Sequence, residues 1–150
     1  MDQDDLISTL NTLVETSRDG EEGFRTSADH ANDAQLKSLF QNRAESCAAA
    51  VRELEQIVVA HGGKPSESST VSGTLHRRWI DIKSMITGRD DHAILDEAER
   101  GEDVAVAGYR KALTQGLPDD VQALVERQYQ GVLRNHDQIK QLRNQMRASS

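Results

Sequence analysis

The sequence predicts an all-α protein, folded as an antiparallel four-helix bundle. Aromatic residues make up only 3% of the 150 residues, and Ala, Leu, Glu, Gln and Arg dominate, which is typical of helices with one exposed face. Apolar residues recur every three or four positions over four long stretches. Two short turns and one long connection separate these stretches. The length suits one domain over residues 1–150. A domain of this size buries about two-thirds of the surface that its unfolded chain would expose.

The first two helices form a predicted hairpin. The first is expected over residues 4–30, where Leu6, Leu10 and Leu13 begin an apolar line along one helix face. Asn32 and Asp33 are capping residues, and a second helix over 33–61 follows them. Gly62 and Gly63 end that helix. Because the turn between the two helices is short, they must be antiparallel neighbours.

A long connection follows, and it sets the topology. A polar, Ser-rich loop precedes a short crossover helix expected over 75–87, where Trp79 is expected to close one end of the bundle. About 28 residues separate the two hairpins, whereas a direct turn needs fewer than ten. A connection of this length lets the second and third long helices run parallel.

The second hairpin is predicted from its helix ends. Asp90 or Asp91 can cap a third helix over 91–115, which ends before Gly116. The fourth helix is expected over 118–147, with Pro118 in its first turn and acidic residues at its positive end.

Charge limits the partners and the location. A formal net charge of −7 repels phosphate backbones and anionic lipid headgroups, so nucleic acid is not expected as a partner. The start, Met1 to Asp5, lacks a signal-peptide pattern, and no apolar run approaches the roughly 20 residues of a membrane span. We therefore expect a cytoplasmic protein without membrane contact. The lone Cys47 is expected to be a buried structural thiol.

Polar residues interrupt the apolar lines at one level of the bundle. Folding each hairpin about its turn brings these positions together near mid-height. A polar group on a buried face is costly unless it is paired. We therefore expect a mid-bundle polar layer made of Ser17, Glu21, Arg43, Cys47, Glu102 and Gln128.

Several phrases resemble one bacterial family. They are Thr9 Leu10 Asn11, Asp19 Gly20 Glu21 Glu22 Gly23 Phe24, Leu75 His76 Arg77 Arg78 Trp79, Glu99 Arg100 Gly101 Glu102 Asp103 and Val125 Glu126 Arg127 Gln128 Tyr129. Over roughly residues 5–145 the chain resembles the ferritin-like four-helix-bundle proteins catalogued as domain of unknown function 2383. The resemblance implies a ferritin-like fold without an established activity.

Ferritin-like bundles hold two irons with a Glu from each of two helices and a Glu-x-x-His from each of the other two. This chain has no Glu-x-x-His. A more distant similarity to rubrerythrin implies that the six ligand positions fall on Ser17, Cys47, Ala50, Glu102, Val132 and Asn135, of which only Glu102 keeps a ligand. We therefore expect no cofactor. If iron or manganese does bind, the expected ligands are Glu21, Glu102 and His136.

Arg43 can replace the metal in this layer. A guanidinium between Glu21 and Glu102 would neutralise both carboxylates, and Ser17, Gln128 and Tyr109 could complete the hydrogen bonds. The layer would then fix the register of the bundle and have no catalytic role.

Three functions remain open. The first is a non-catalytic bundle that self-associates, a dimer being preferred, or binds a protein partner, with a stress-related role by resemblance to other small ferritin-like proteins. The alternative is an enzyme, a metal-binding ferritin-like oxidase or ferroxidase with a non-standard ligand set. The third is a small-molecule sensor with a cavity between the hairpins. Walker and Cys-x-x-Cys patterns are absent.

Overall fold

The computed structural model describes residues 1–67 and 91–149. Four α-helices occupy this part of the chain: α1 (Gln3–His30), α2 (Ala34–Ala60), α3 (Asp91–Leu113) and α4 (Asp119–Ser149). Their ends lie within two residues of the expected ones. The expected crossover helix over 75–87, with Trp79, and the alternative cap Asp90 lie outside the described residues.

The helix ends follow from local chemistry. Asp33 is the N-cap of α2, and its side chain accepts a hydrogen bond from the Leu36 amide at 3.0 Å. At the other end of α2, Gly62 has a φ of +83° and the Gly63 amide donates to the Val58 carbonyl at 2.9 Å. A left-handed residue of this kind is the usual way to end a helix, and glycine adopts it without strain.

Asp91 has a different role from the expected one. It is the first residue of α3, and its carboxylate accepts hydrogen bonds from the backbone amides of Asn32 at 2.9 Å and Asp33 at 3.0 Å. Asp91 therefore ties the start of α3 to the turn between α1 and α2.

The helices pack as two hairpins, α1 with α2 and α3 with α4, which meet mainly through α1 and α3. Contacts between α2 and α4 are sparse. One apolar cluster contains Phe24, Phe40 and Ile139, and a second contains Leu10, Leu54 and Val125. Polar side chains lie between the two clusters. Within the described part of the chain, no helix combines the length and the apolar character of a membrane span.

Candidate functional site

An ion pair between α2 and α3 lies at the centre of the bundle. Arg43 Nε donates a hydrogen bond to Glu102 Oε1 at 2.6 Å. The two side chains are 7% and 1% exposed, so solvent screens the pair very little. Charge-assisted bonds of this kind are short and strong, and they tolerate burial only because each charge has its partner. The pair therefore links the two hairpins across their interior.

A chain of hydrogen bonds surrounds Tyr109. The Tyr109 hydroxyl donates to Gln128 Oε1 at 2.8 Å and lies 3.3 Å from Ser17 Oγ. Since its single proton goes to Gln128, the Tyr109 oxygen accepts from Ser17. Gln128 Nε2 donates to Glu53 Oε1 at 3.1 Å, and Glu53 pairs with Arg127 at 2.5 Å near the surface. This network connects α1, α2, α3 and α4.

Glu21 does not belong to this layer. Its carboxylate pairs with Arg25, one turn further along α1, at 3.0 Å, and its side chain is 29% exposed. The expectation that Arg43 lies between two carboxylates is therefore wrong for Glu21. Arg43 instead has Glu102 on one side and the Phe24 ring on another, with its guanidinium carbon 5.5 Å from the ring centroid.

Burial shapes the charge states at this site. Burial raises the pKa of the Cys47 thiol to about 12 and that of the Tyr109 hydroxyl to about 12, so both stay neutral near pH 7. Burial also raises the pKa of Glu102, and the charge and hydrogen bond of Arg43 offset this only in part. Burial opposes the charge of Arg43 as well, but the charge of Glu102 and the hydrogen bond to it outweigh burial, and the pKa of Arg43 is raised.

The two oxygens of Glu102 have different surroundings. Oε1 accepts from Arg43, whereas Oε2 is buried and has no hydrogen-bond partner among residues 1–67 and 91–149. Within the same residues, the guanidinium of Arg43 makes its hydrogen bond through Nε alone. Buried polar groups in native proteins normally have partners. Spare acceptor and donor capacity thus remains beside the ion pair.

These polar groups line a partly open cavity of about 470 Å³ between α2 and α4, to which all four described helices contribute. Its walls include small residues, namely Gly20, Ala49, Ala50, Gly101, Ala105 and Gly131. The six positions that the resemblance to rubrerythrin implies as ligand positions all line this cavity: Ser17, Cys47, Ala50, Glu102, Val132 and Asn135.

The residues around the cavity do not fit a di-iron centre. Five of the six implied positions carry serine, cysteine, alanine, valine or asparagine, and the thiol of Cys47 is held neutral. The remaining carboxylate, Glu102, already accepts a hydrogen bond from Arg43. A bound dication would have to displace or face that guanidinium. The donor set therefore disagrees with the ligand set of ferritin-like di-iron proteins.

The ligands expected if iron or manganese binds, Glu21, Glu102 and His136, are also not brought together. Glu21 pairs with Arg25, and Glu102 pairs with Arg43. His136 Nε2 instead lies 2.6 Å from Asp103 Oδ1, and ligand atoms of Glu99, Asp103 and His136 all lie within 4.8 Å of one another. This second group lies on α3 and α4 and consists of partly buried and exposed side chains.

Two buried polar residues were not predicted from the sequence. Asp19 is 1% exposed and Thr16 is 6% exposed, both on α1. Thr16 donates to the Thr12 carbonyl at 2.9 Å, a local bond that satisfies its hydroxyl within the helix. The position of Asp19, one helical turn from Glu22 and Gly23, carries no pattern that distinguishes it from the exposed acidic residues nearby.

Solved structures place this architecture in the ferritin-like class. A dodecameric thioferritin, described as the bacterioferritin-related protein from Bacteroides fragilis, superposes with a TM-score of 0.80 at 14% identity, covering 99% of this chain and 90% of that one. The two-domain protein of Anabaena variabilis with DJ-1/ThiJ/PfpI-like and ferritin-like domains also gives 0.80 at 14% identity. The alignment covers 100% of this chain and 39% of that protein. The fold is thus a ferritin-like four-helix bundle.

The chain belongs to the family described as domain of unknown function (DUF2383), which matches residues 5–115. No curated protein matches the sequence.

Proposed function

We propose that this protein is a non-catalytic ferritin-like bundle that works by self-association or by binding a protein partner, and that an arginine–glutamate ion pair takes the place of a di-iron centre. The observation that carries the proposal is the 2.6 Å contact between Arg43 Nε and Glu102 Oε1, both almost fully buried. A metal ion bound beside this pair would need the Glu102 carboxylate as a ligand. It would therefore compete with the Arg43 guanidinium for that carboxylate.

Metal analysis tests the absence of a di-iron centre. Protein purified from cells grown with added iron or manganese is expected to carry far less than one metal ion per chain after desalting. Near-stoichiometric metal would contradict the proposal. The same measurement on Arg43→Met asks whether the arginine excludes metal, because this change removes the guanidinium that is paired with Glu102.

Self-association is the second part of the proposal. The thioferritin that shares the fold is described as dodecameric. This likeness supports self-association of the present chain, and a dimer is the simplest form. Large exposed hydrophobic residues in the described ranges are limited to Met1 and Val59, so a contact surface formed by these ranges would be mostly polar. Light scattering is expected to give a multiple of the chain mass. A monomer at all concentrations would leave partner binding as the remaining role.

A stress-related role in the cytoplasm is part of the same proposal, supported by the likeness to ferritin-like proteins. We expect the protein to accumulate when the cells are exposed to peroxide or starvation. Unchanged abundance under both conditions, measured by quantitative immunoblot, would contradict it.

A second candidate function is metal binding by a ferritin-like oxidase or ferroxidase with a non-standard ligand set. The group of Glu99, Asp103 and His136 favours it, because two carboxylates and an imidazole suit divalent transition metals. Arg143 pairs with Glu99, however, and reduces the negative charge there. If metal is found, His136→Ala should remove it for this candidate, whereas His30→Ala, at the end of α1, should retain it.

A further inference from the structure

The cavity between α2 and α4 has the size and the walls of a small-molecule site. Its volume of about 470 Å³ falls within the range of about 300–1,000 Å³ that ligand pockets occupy. It exists because α2 and α4 barely touch and because Ala49, Ala50 and Gly131 leave space where larger side chains would fill it. Phe24 and Val132 add apolar wall.

The polar groups of the cavity specify a ligand chemistry. Glu102 is 1% exposed, and its Oε2 atom is buried and has no donor among the described residues. It can accept a hydrogen bond from a ligand once a small side-chain movement opens it to the cavity. The Nη atoms of Arg43 can donate hydrogen bonds, since Nε is the nitrogen that binds Glu102. A ligand group that complements this pair must therefore donate a hydrogen bond to Glu102 and accept one from Arg43.

The buried charges of the cavity, Arg43 and Glu102, select against ions. The other charged residues of its lining are Glu53 and Arg127, which pair near the surface, and the exposed Arg134. Arg43 and Glu102 compensate one another, so a carboxylate that approached Arg43 would also face Glu102, and an ammonium that approached Glu102 would also face Arg43. A neutral group that is both donor and acceptor meets neither repulsion.

We propose that this cavity binds a small neutral molecule that carries a carboxamide, urea or lactam group on a compact apolar body. Its N–H donates to Glu102 Oε2 and its carbonyl accepts from the Arg43 guanidinium. The apolar body lies against Phe24 and the alanine wall. The proposal rests on the central ion pair being formed without metal, as in the proposed function.

Three probes of one shape test this ligand chemistry. Benzamide, benzoate and benzamidinium share the ring and a planar head group and differ only in donors, acceptors and charge. Titrated into isotope-labelled protein that has first been analysed for metal, benzamide is expected to shift the amide resonances of Gly101 and Gly131, which line the cavity. The expected Kd is on the order of 1 mM, as suits a ligand of this size. Both ions should bind at least tenfold more weakly.

Variants locate the binding. Ala50→Leu fills the cavity without touching the ion pair and is expected to weaken benzamide binding at least tenfold. Ala123→Leu, on the exposed side of α4, is the matched control and should leave it unchanged. Glu102→Gln replaces the acceptor Oε2 with a donor and should also weaken binding at least tenfold. If Glu102→Gln folds poorly, Ala50→Leu still tests the proposal.

Several results would overturn the proposal. They are no binding of benzamide to metal-free protein, equal or tighter binding of benzoate, or unchanged binding by Ala50→Leu. Bound metal in the starting protein would instead overturn the proposed function, so the two failures are distinguishable.

Discussion

At the scale of single residues, Glu102 is deeply buried, and its two carboxylate oxygens have different surroundings. Arg43 supplies one hydrogen bond and one compensating charge, while Oε2 has no donor in the described part of the chain. Burial therefore raises the pKa of Glu102 despite the ion pair. The charge state of the carboxylate depends on Arg43, because loss of the guanidinium would remove the largest influence that opposes burial.

The hydroxyl of Tyr109 should contribute to stability. Tyr109→Phe removes the donor to Gln128 and leaves a buried amide oxygen without its partner, which should cost about 1–2 kcal/mol in the free energy of unfolding. Tyr129→Phe is the matched control, because its hydroxyl meets Arg110 at the exposed surface, and it should change stability by less than about 0.5 kcal/mol. Urea denaturation measures both. Equal effects would contradict the buried network.

The thiol of Cys47 should make stability fall at alkaline pH. Its pKa is about 12 in the folded protein and about 8.5 in an unfolded chain, so the unfolded state loses its proton first. This contribution to stability is fully present below about pH 8.5 and is lost as pH rises toward 12.

Cys47→Ala isolates that effect. The stability difference between wild type and this variant should be constant from pH 6 to 8, and above about pH 8.5 it should fall by about 1.4 kcal/mol per pH unit. Chemical denaturation between pH 6 and 10 measures it. A difference that stays constant to pH 10 would show that the thiol ionises as easily in the fold as outside it.

The residues of the central network were partly predictable. Ser17, Arg43, Glu102 and Gln128 interrupt apolar lines, and a polar residue in such a line stands out. Glu21 was misplaced because a period of 3.6 residues does not decide between positions 20 and 21, and Gly20 is the one that lines the cavity. The missing donor at Oε2 depends on side-chain geometry that no pattern encodes.

At the scale of helices, the ends were the most predictable feature. Asp33, Gly62 and the acidic first turn of α4 act through bonds within a few residues, so the sequence contains all that is needed. Asp91 acts over a longer range. Its carboxylate binds amides 58 and 59 residues away, a contact that only the assembled bundle creates.

Two glycines should respond to alanine in opposite directions. Gly108 is inside α3, and an added Cβ would meet nothing within 4 Å, so Gly108→Ala should stabilise the protein by about 0.5–1 kcal/mol. Gly116, between α3 and α4, has a φ of +74°, so Gly116→Ala should cost about 1 kcal/mol or more. Thermal unfolding of both variants measures the signs. The same sign for both would contradict the backbone conformations of these two glycines.

At the scale of the whole molecule, one sequence-based hypothesis included a cavity between the hairpins, but helix patterns could not predict that it lies between α2 and α4 or how large it is. Periodicity identifies the buried face of each helix but not the distance between two helices. The hairpins meet through α1 and α3, and the small residues facing the gap leave a cavity with the ion pair at its base.

The central claim is that Arg43 and Glu102 hold the middle of the bundle together as a pair. A double-mutant cycle measures it: the cost of Arg43→Met in the free energy of unfolding is determined at pH 7 in the wild type and in Glu102→Gln. In the wild type the cost should be about 3 kcal/mol or more, because a buried carboxylate loses its partner. In Glu102→Gln it should be smaller by about 1–3 kcal/mol. Equal costs in the two backgrounds would contradict the claim.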